Sequence, residues 1–337
     1  AARDVLADQC TPQVVRAIEE GGRTAEATTD LWEQLEATGL ADALLSEDAG
    51  GAGLGLGQVF GVLEQCGAHA LPLPLGETMV ARALLAQAGV ARPAGSIALA
   101  RGEHLANGGL RCALVRSGQV AAAVLVQTGT EWRLLNTADA QGAAQALALD
   151  AALTWTAVQV QAAPAVEVNG ALDVRTLQAS VVAAQMAGAL SSVFQRSLQY
   201  ANERQQFGRP IGKFQAIQHQ LAVMSEHVFA ARMAAQLGCS AGHDGMGVVP
   251  DRLRVATAKA RCSEAALVVS ELAHAIHGAI GFTEEYDLQL FTRRLHAWRQ
   301  TAGSEAYWYG VAGEALLHHQ GMTLDIVRRI TDVDTVL

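Results

Sequence analysis

Aromatic side chains are scarce: Phe, Trp and Tyr make up 5% of the 337 residues, and charged residues only 17%. There is no basic surplus, since the formal net charge is −9. That excludes an ordinary nucleic-acid binder, which carries a cationic face, although it leaves room for a small basic pocket. Cysteine is sparse and dispersed at Cys10, Cys66, Cys112, Cys239 and Cys262, with no CxxC pair. An odd, scattered set argues against a disulfide framework or a zinc site, and fits a reducing, cytoplasmic setting. No run of about 18 apolar residues stands out, so no membrane span is expected. The first residues lack the basic-then-apolar pattern of a secretion signal.

What the chain does have is alanine, within a composition that is half hydrophobic. Alanine-rich, aromatic-poor sequence favours closely packed helices. Residues 1–91 read as a helical domain with glycine-rich joints. Asp30 can cap a helix that Gly39 ends, and Ser46–Gly57 forms a glycine-rich loop before the apolar Val59, Phe60, Val62 and Leu63. That loop follows no strand and is a poor dinucleotide fingerprint. Residues 92–170 change character. Short β-prone runs at Ser96–Ala100, Ala113–Val115, Ala121–Gln127, Glu131–Leu135 and Thr156–Val160 predict a small β domain, a sheet or barrel. Residues 171–337 are helical again. The spacing of Phe214, Ile217, Leu221, Met224 and Val228 predicts a half-buried helix over 214–237 that Gly238 stops, and a Gly242–Pro250 loop leads to Asp251 as the next N-cap. The fold class is therefore mainly α with a small β domain, ending in a four-helix-type bundle.

Two breaks interrupt the C-terminal helices. The first, Glu203–His219, gathers Arg204, Arg209 and Lys213 around Gly208, Pro210 and Gly212. A basic, glycine-containing break suits an anion, because free N–H groups and guanidinium forks both bind phosphate; an ordinary helix–helix loop would look similar. The second, His277-Gly-Ala-Ile-Gly-Phe-Thr283, also offers bare backbone to a ligand. Other chemistries have less support. Glu271-x-x-His274 is a lone match to a di-iron pattern that needs two such pairs, so no metal is expected. Ser225 and His227 lack a nucleophile elbow.

Taken together, Tyr200–Gln215, His277–Tyr286 and Leu290-Phe-Thr-Arg-Arg294 resemble the acyl-CoA dehydrogenase family of flavoproteins. The likeness extends to Leu31–Leu35 and Glu47–Gly57, and the helices–strands–helices order is the family's own. The resemblance implies FAD as cofactor and α,β-dehydrogenation of an acyl-CoA thioester, in which a carboxylate takes the α-proton and the flavin the β-hydride. It implies that Arg204, Gln206 and Phe207, with Gln215 nearby, reach the dinucleotide end of a neighbouring subunit's FAD. Gly278 and Gly281 would pack on the pyrophosphate, with Ser304 as a further cofactor contact.

The chain departs from the family in three respects. The flavin-facing segments of the middle domain have no counterpart. The glycine turn has Ala275 and Ala279 at two of its usual positions. The two positions that carry the family's base fall on Ala302 and Gln178. Glu305 is the nearest acid and a candidate base, although a first-turn Glu also stabilises a helix start on electrostatic grounds alone. Alternative readings follow. One is a non-catalytic subunit that clamps the cofactor in a hetero-oligomeric dehydrogenase; the other is a scaffold without FAD. The expected assembly is a homodimer or homotetramer, or a heterotetramer with a second dehydrogenase chain.

Overall fold

The computed structural model describes residues 2–147, 149–168, 172–240 and 247–332. Helices open the chain: α1 (Ala2–Gln9), α2 (Pro12–Gly21), α3 (Glu26–Ala37), α4 (Leu56–Ala68) and α5 (Leu75–Gln87). Strands follow: β1 (Ile97–Arg101), β2 (Glu103–His104), β3 (Leu110–Val115), β4 (Ala123–Thr128), β5 (Glu131–Asn136), β6 (Gln141–Ala144) and β7 (Ala151–Trp155), then the short α6 (Ala157–Ala162). The C-terminal half holds α7 (Val174–Glu203), a small hairpin of β8 (Gln205–Gln206) and β9 (Arg209–Pro210), and α8 (Gln215–Gly238). After these come α9 (Arg252–His277), α10 (Leu288–Gln300), α11 (Glu305–His318) and α12 (Thr323–Thr331).

Helix α7 is the axis of the molecule. Its 30 residues make a rod of about 45 Å, and much of its length is buried against α4, α8, α9 and α10. Alanine and glycine permit this. A methyl group built on Gly67 of α4 would overlap the Gln185 carbonyl of α7, and one on Gly188 would overlap the Glu64 carbonyl. The two helices therefore touch backbone to backbone, which only glycine allows at that crossing. By length and composition, Val174–Glu203 and Arg252–Phe282 reach the range of membrane-crossing helices. Core helices pass that test too, and α7 is the core helix of this bundle.

Strands β1 to β7 form two sheets with orders β1-β4-β5 and β2-β3-β7-β6. Strand β4 runs parallel to β1 and antiparallel to β5 and is buried throughout. One face, with Leu99 and Leu125, joins the main helical core, while the other, with Val124 and Val126, packs on Cys112, Leu153 and Trp155 of the second sheet. A strand buried on both faces reads as a continuous apolar run, as Ala121–Leu125 does.

Three local expectations are corrected. Thr156–Val160 is helical: Thr156 caps α6 and exchanges hydrogen bonds with Gln159, a capping box that overrides β propensity, and the strand lies just before it at Ala151–Trp155. Asp30 lies inside α3, which starts at Glu26 after Ala25, although Gly39 does turn left-handed beyond its end. Gly238 is the last residue of α8 rather than its stop; a Cβ there would lie 2.5 Å from the Ala258 Cβ of α9, so close packing explains it. Asp251 caps α9 as expected, accepting from the Leu253 and Arg254 N–H groups. Residues 242–246 of the expected preceding loop lie outside the described residues.

Candidate functional site

The two ends of α7 open onto two separate cavities. At its C-terminal end, Tyr200, Arg204, Gln206, Phe207, His277 and Gly278 line a space of about 350 Å³. The two motif turns, far apart in sequence, thus meet in one place. Helix α7 stops at Glu203, and the chain reverses through the β8–β9 hairpin. Its two central residues, Phe207 and Gly208, both have positive φ, 51° and 78°. Such a turn favours Asn-Gly. Phenylalanine there is strained, which points to a role outside the turn itself. The Phe207 ring is 91% exposed and meets Phe214 edge-on at 6.1 Å.

The cations of this turn divide their work. The Arg209 guanidinium lies over the Phe214 ring at 4.2 Å, whereas Arg204 lines the cavity. Across it, Gly278 ends α9 with φ 65°, and a Cβ there would meet nothing within 4 Å. The backbone at that point is bare and open. Gly281 differs: a Cβ would press on His277 and His274 at 3.0 and 3.2 Å, so its smallness serves packing. His277 is buried, stacked on Tyr200 at 4.5 Å, with its Nδ1 against the Ala273 carbonyl at 2.7 Å. Burial pushes its imidazole below the ordinary value, which favours the neutral form. Gln215, the first residue of α8, is exposed and outside the lining. Ser304, the residue before α11, belongs with the other cavity's turn.

That second cavity, of about 290 Å³, lies at the N-terminal end of α7. Val174, Arg175 and Gln178 face it from one side of the first turns of the helix. Thr301, Ala302 and Gly303 face it from the α10–α11 turn, and Arg101, Ala113, Leu114 and Arg116 from the sheets. An irregularity in the β3–β7 pairing between Cys112 and Val115 leaves Ala113 and Leu114 both exposed toward it, a common effect of bulges beside sites.

The structure therefore brings Ala302 and Gln178 together. Around them it keeps an elaborate frame. Ala302 has φ 56° and its carbonyl accepts from Trp308 Nε1 at 3.1 Å. Beneath the turn the fully buried Lys259 ammonium donates to Ser263 Oγ and to the carbonyls of Arg299 and Gly303, at 3.0, 3.0 and 2.9 Å. Burial pushes its pKa down to about 7. No carboxylate lines this cavity among the described residues. Glu305 is not in the lining. Its carboxylate is gripped by Arg299, with one Nε–Oε2 bond of 3.0 Å, and that hydrogen bonding holds it below the usual carboxylate range. Glu77 is the nearer acid, one side chain behind: fully buried, accepting from the Leu99 N–H at 2.9 Å and Gln178 Nε2 at 3.2 Å, and paired with Arg116 at 3.4 Å. Burial pushes its carboxyl above the ordinary range against the pull of Arg116.

Sequence reading missed Arg101, Arg116 and Arg175. They stand on separate strands and a helix start, with no local pattern to join them.

With this geometry in view, comparisons with known proteins place the chain. Residues 176–317 match the acyl-CoA dehydrogenase C-terminal domain. Acyl-CoA dehydrogenase IpdE2 of Mycolicibacterium smegmatis is 30% identical over 298 residues, covering 87% of this chain and 89% of that protein. Acyl-CoA dehydrogenase FadE34 of Mycobacterium tuberculosis is 29% identical across 91% of this chain, which spans 45% of that protein. Among solved structures, a Tcur3481-Tcur3483 steroid ACAD variant superposes with a TM-score of 0.77 at 27% identity, over 94% of this chain and 95% of that one. The ChsE4-ChsE5 complex from Mycobacterium tuberculosis shares the fold, with a TM-score of 0.80 at 22% identity over 95% and 96% of the two chains. The chain belongs to the acyl-CoA dehydrogenase family, and it is an acyl-CoA dehydrogenase-like oxidoreductase.

Proposed function

We propose that this chain serves FAD-dependent α,β-dehydrogenation of an acyl-CoA thioester as a cofactor-gripping subunit, with the base supplied by a second, dissimilar dehydrogenase chain. The observation that carries the reading is the contrast between the ends of α7. One end unites Arg204, Gln206, Phe207 and Gly278 around a cavity. The other unites Ala302 and Gln178, where the family's base would stand, with no carboxylate in the lining among the described residues. The α-proton of a thioester is weakly acidic, and loss of a general base costs about 10²–10⁴ in rate. The likeness to the Tcur3481-Tcur3483 steroid ACAD, a protein with a paired name, supports a paired assembly and a bulky acyl group.

The dinucleotide-end cavity fits the adenosine diphosphate part of FAD. It offers an exposed guanidinium, an amide, an outward aromatic ring and an open glycine backbone. Arg204 would supply a fork for the pyrophosphate, Gln206 a hydrogen bond, and Phe207 an apolar face for the adenine. Gly278 would let the pyrophosphate approach the backbone. FAD, when bound, supplies the acceptor for the β-hydride; these residues hold and orient it. The two cavities lie at opposite ends of a helix of about 45 Å, too far apart for one FAD to fill both within one chain. That separation supports a grip across a subunit interface, for which the exposed Phe207 is suited. The alternative of a homo-oligomer using Glu305 has a base already committed to Arg299.

The test is Arg204→Ala in the complex with the second chain. We expect FAD retention on gel filtration to weaken by about 10–100-fold, the worth of a charge-assisted hydrogen bond. Unchanged retention would remove Arg204 from the cofactor site.

A further inference from the structure

We infer that the cavity around Ala302 and Gln178 is a binding site for a small oxyanion, the carboxylate of a short organic acid or a phosphate. The inference rests on the base-lacking reading above, and it concerns what this end of the chain does instead of proton abstraction.

The first observation is charge. Three guanidiniums, Arg101, Arg116 and Arg175, line the cavity, and no Asp or Glu does so among the described residues. This occurs in a chain with a net charge of −9. Arg116 is already committed, to Glu77 at 3.4 Å, to Gln185 and over the Trp298 ring at 5.0 Å. Arg101 and Arg175 are not. Among the described residues the Arg101 side chain has no polar partner, and the Arg175 guanidinium only lies over the Tyr307 ring at 4.5 Å. The nearest carboxylates are turned elsewhere. Glu77 lies behind Gln178, and Asp173 is held by Arg252 at 2.7 Å and by Thr176 at 3.0 Å. A concave space with unpaired cations of one sign concentrates anions.

The second observation is orientation. Gln178 Nε2 faces two acceptors, Glu77 Oε1 at 3.2 Å and the Leu99 carbonyl at 3.1 Å. The Leu99 carbonyl cannot donate, so the amide cannot flip, and its oxygen is left for the cavity. The site thus offers two guanidinium forks and one fixed acceptor. An oxyanion that also carries a hydroxyl satisfies all three, whether a hydroxy acid or a monoprotonated phosphate.

The third observation is size and wall. At about 290 Å³ the space is at the bottom of the range for ligand sites. The Ala113, Leu114 and Val174 side chains give it an apolar side, on which a short carbon skeleton can lie. The turn opposite is fixed from below by Lys259 and Trp308, so the site is formed before any ligand arrives, which lowers the cost of binding.

The experiment is calorimetric titration of the full chain at low ionic strength and pH 7, with 3-hydroxybutyrate, butyrate and inorganic phosphate as probes. Saturable binding of at least one anion is expected, at least tenfold weaker in Arg101→Gln and in Arg175→Gln, and unaltered in Arg261→Gln, an arginine on α9 paired with Glu264. The two carboxylates against phosphate decide the head group. A preference for 3-hydroxybutyrate over butyrate that Gln178→Leu abolishes assigns the acceptor. Should Arg175→Gln unfold, Arg101→Gln decides, since that exposed side chain has no polar partner to lose among the described residues. If no probe binds saturably, or if binding survives both arginine changes, the inference is overturned. Bleaching of a flavin in the isolated chain by an acyl-CoA is a separate readout, and that result would overturn the base-lacking reading beneath it.

Discussion

The two ends of α7 have had different fates on one rigid frame. At the C-terminal end, strained and exposed groups persist: Phe207 with positive φ, an open Gly278 and an arginine directed at a cavity. At the N-terminal end the frame persists too, down to the left-handed Ala302 and its buried lysine support. Yet the side chains that would do proton chemistry are a methyl group and a neutral amide, and three arginines surround them. Backbone geometry at a site is thus set by the fold and its supports, while the chemistry is set by a few side chains that can change without disturbing that geometry.

The largest expected effect breaks both ends at once. Gly188→Leu would drive a side chain into the Glu64 carbonyl of α4. It should cost at least about 4 kcal/mol, the exceptional range reserved for such overlaps, seen as loss or steep weakening of the cooperative unfolding transition. A stable variant would mean that α4 and α7 are not locked at that crossing.

A smaller effect isolates the N-terminal end. Lys259 has its pKa pushed down to about 7 in the fold, against about 10.4 when free. Between pH 7 and 8.5 the unfolded chain therefore keeps a proton that the folded chain releases. Stability then rises with pH, by up to about 1.4 kcal/mol per unit. The five buried thiols, pushed up to about 12, act in the opposite sense and together offset the lysine as the pH nears the value of a free thiol, about 8.5. Urea unfolding should show the stability of the wild type rising relative to that of Lys259→Met across this range, since the thiols are common to both. A parallel pH profile in both would show that the three acceptors keep the ammonium charged.

The smallest effect belongs to the C-terminal end. Phe207→Asn places the preferred residue in a turn with positive φ at both centres. It should stabilise the isolated chain by about 1 kcal/mol while weakening assembly with the second chain. If stability is unchanged and assembly intact, Phe207 is neither strained nor used.

How much of this was legible in sequence follows from what kind of signal each feature leaves. The long helices were legible because α8 repeats its apolar residues at helical spacing and α9 announces itself with Asp251. The cavity at the C-terminal end of α7 was legible because Arg204, Phe207 and Gly278 lie in two short, glycine-marked breaks. Gln215 belongs to the first of these breaks and Ser304 to the α10–α11 turn, and both face other surroundings, which adjacency in sequence could not show. The strand expected at Thr156–Val160 was displaced by a cap that propensity alone does not weigh. The arginine-lined cavity was not legible. Arg101, Arg116 and Arg175 come from β1, the end of β3 and the start of α7, and only the packing of the sheets on α7 brings them together.

The central claim is that this chain grips a flavin it cannot use alone. It is tested most directly by the visible spectrum of the purified chain, by itself and with the second dehydrogenase chain, before and after anaerobic addition of an acyl-CoA. The account predicts no substrate-dependent bleaching from the chain alone, and a flavin band that bleaches once the second chain is present. An isolated chain that carries FAD and bleaches with an acyl-CoA would contradict it.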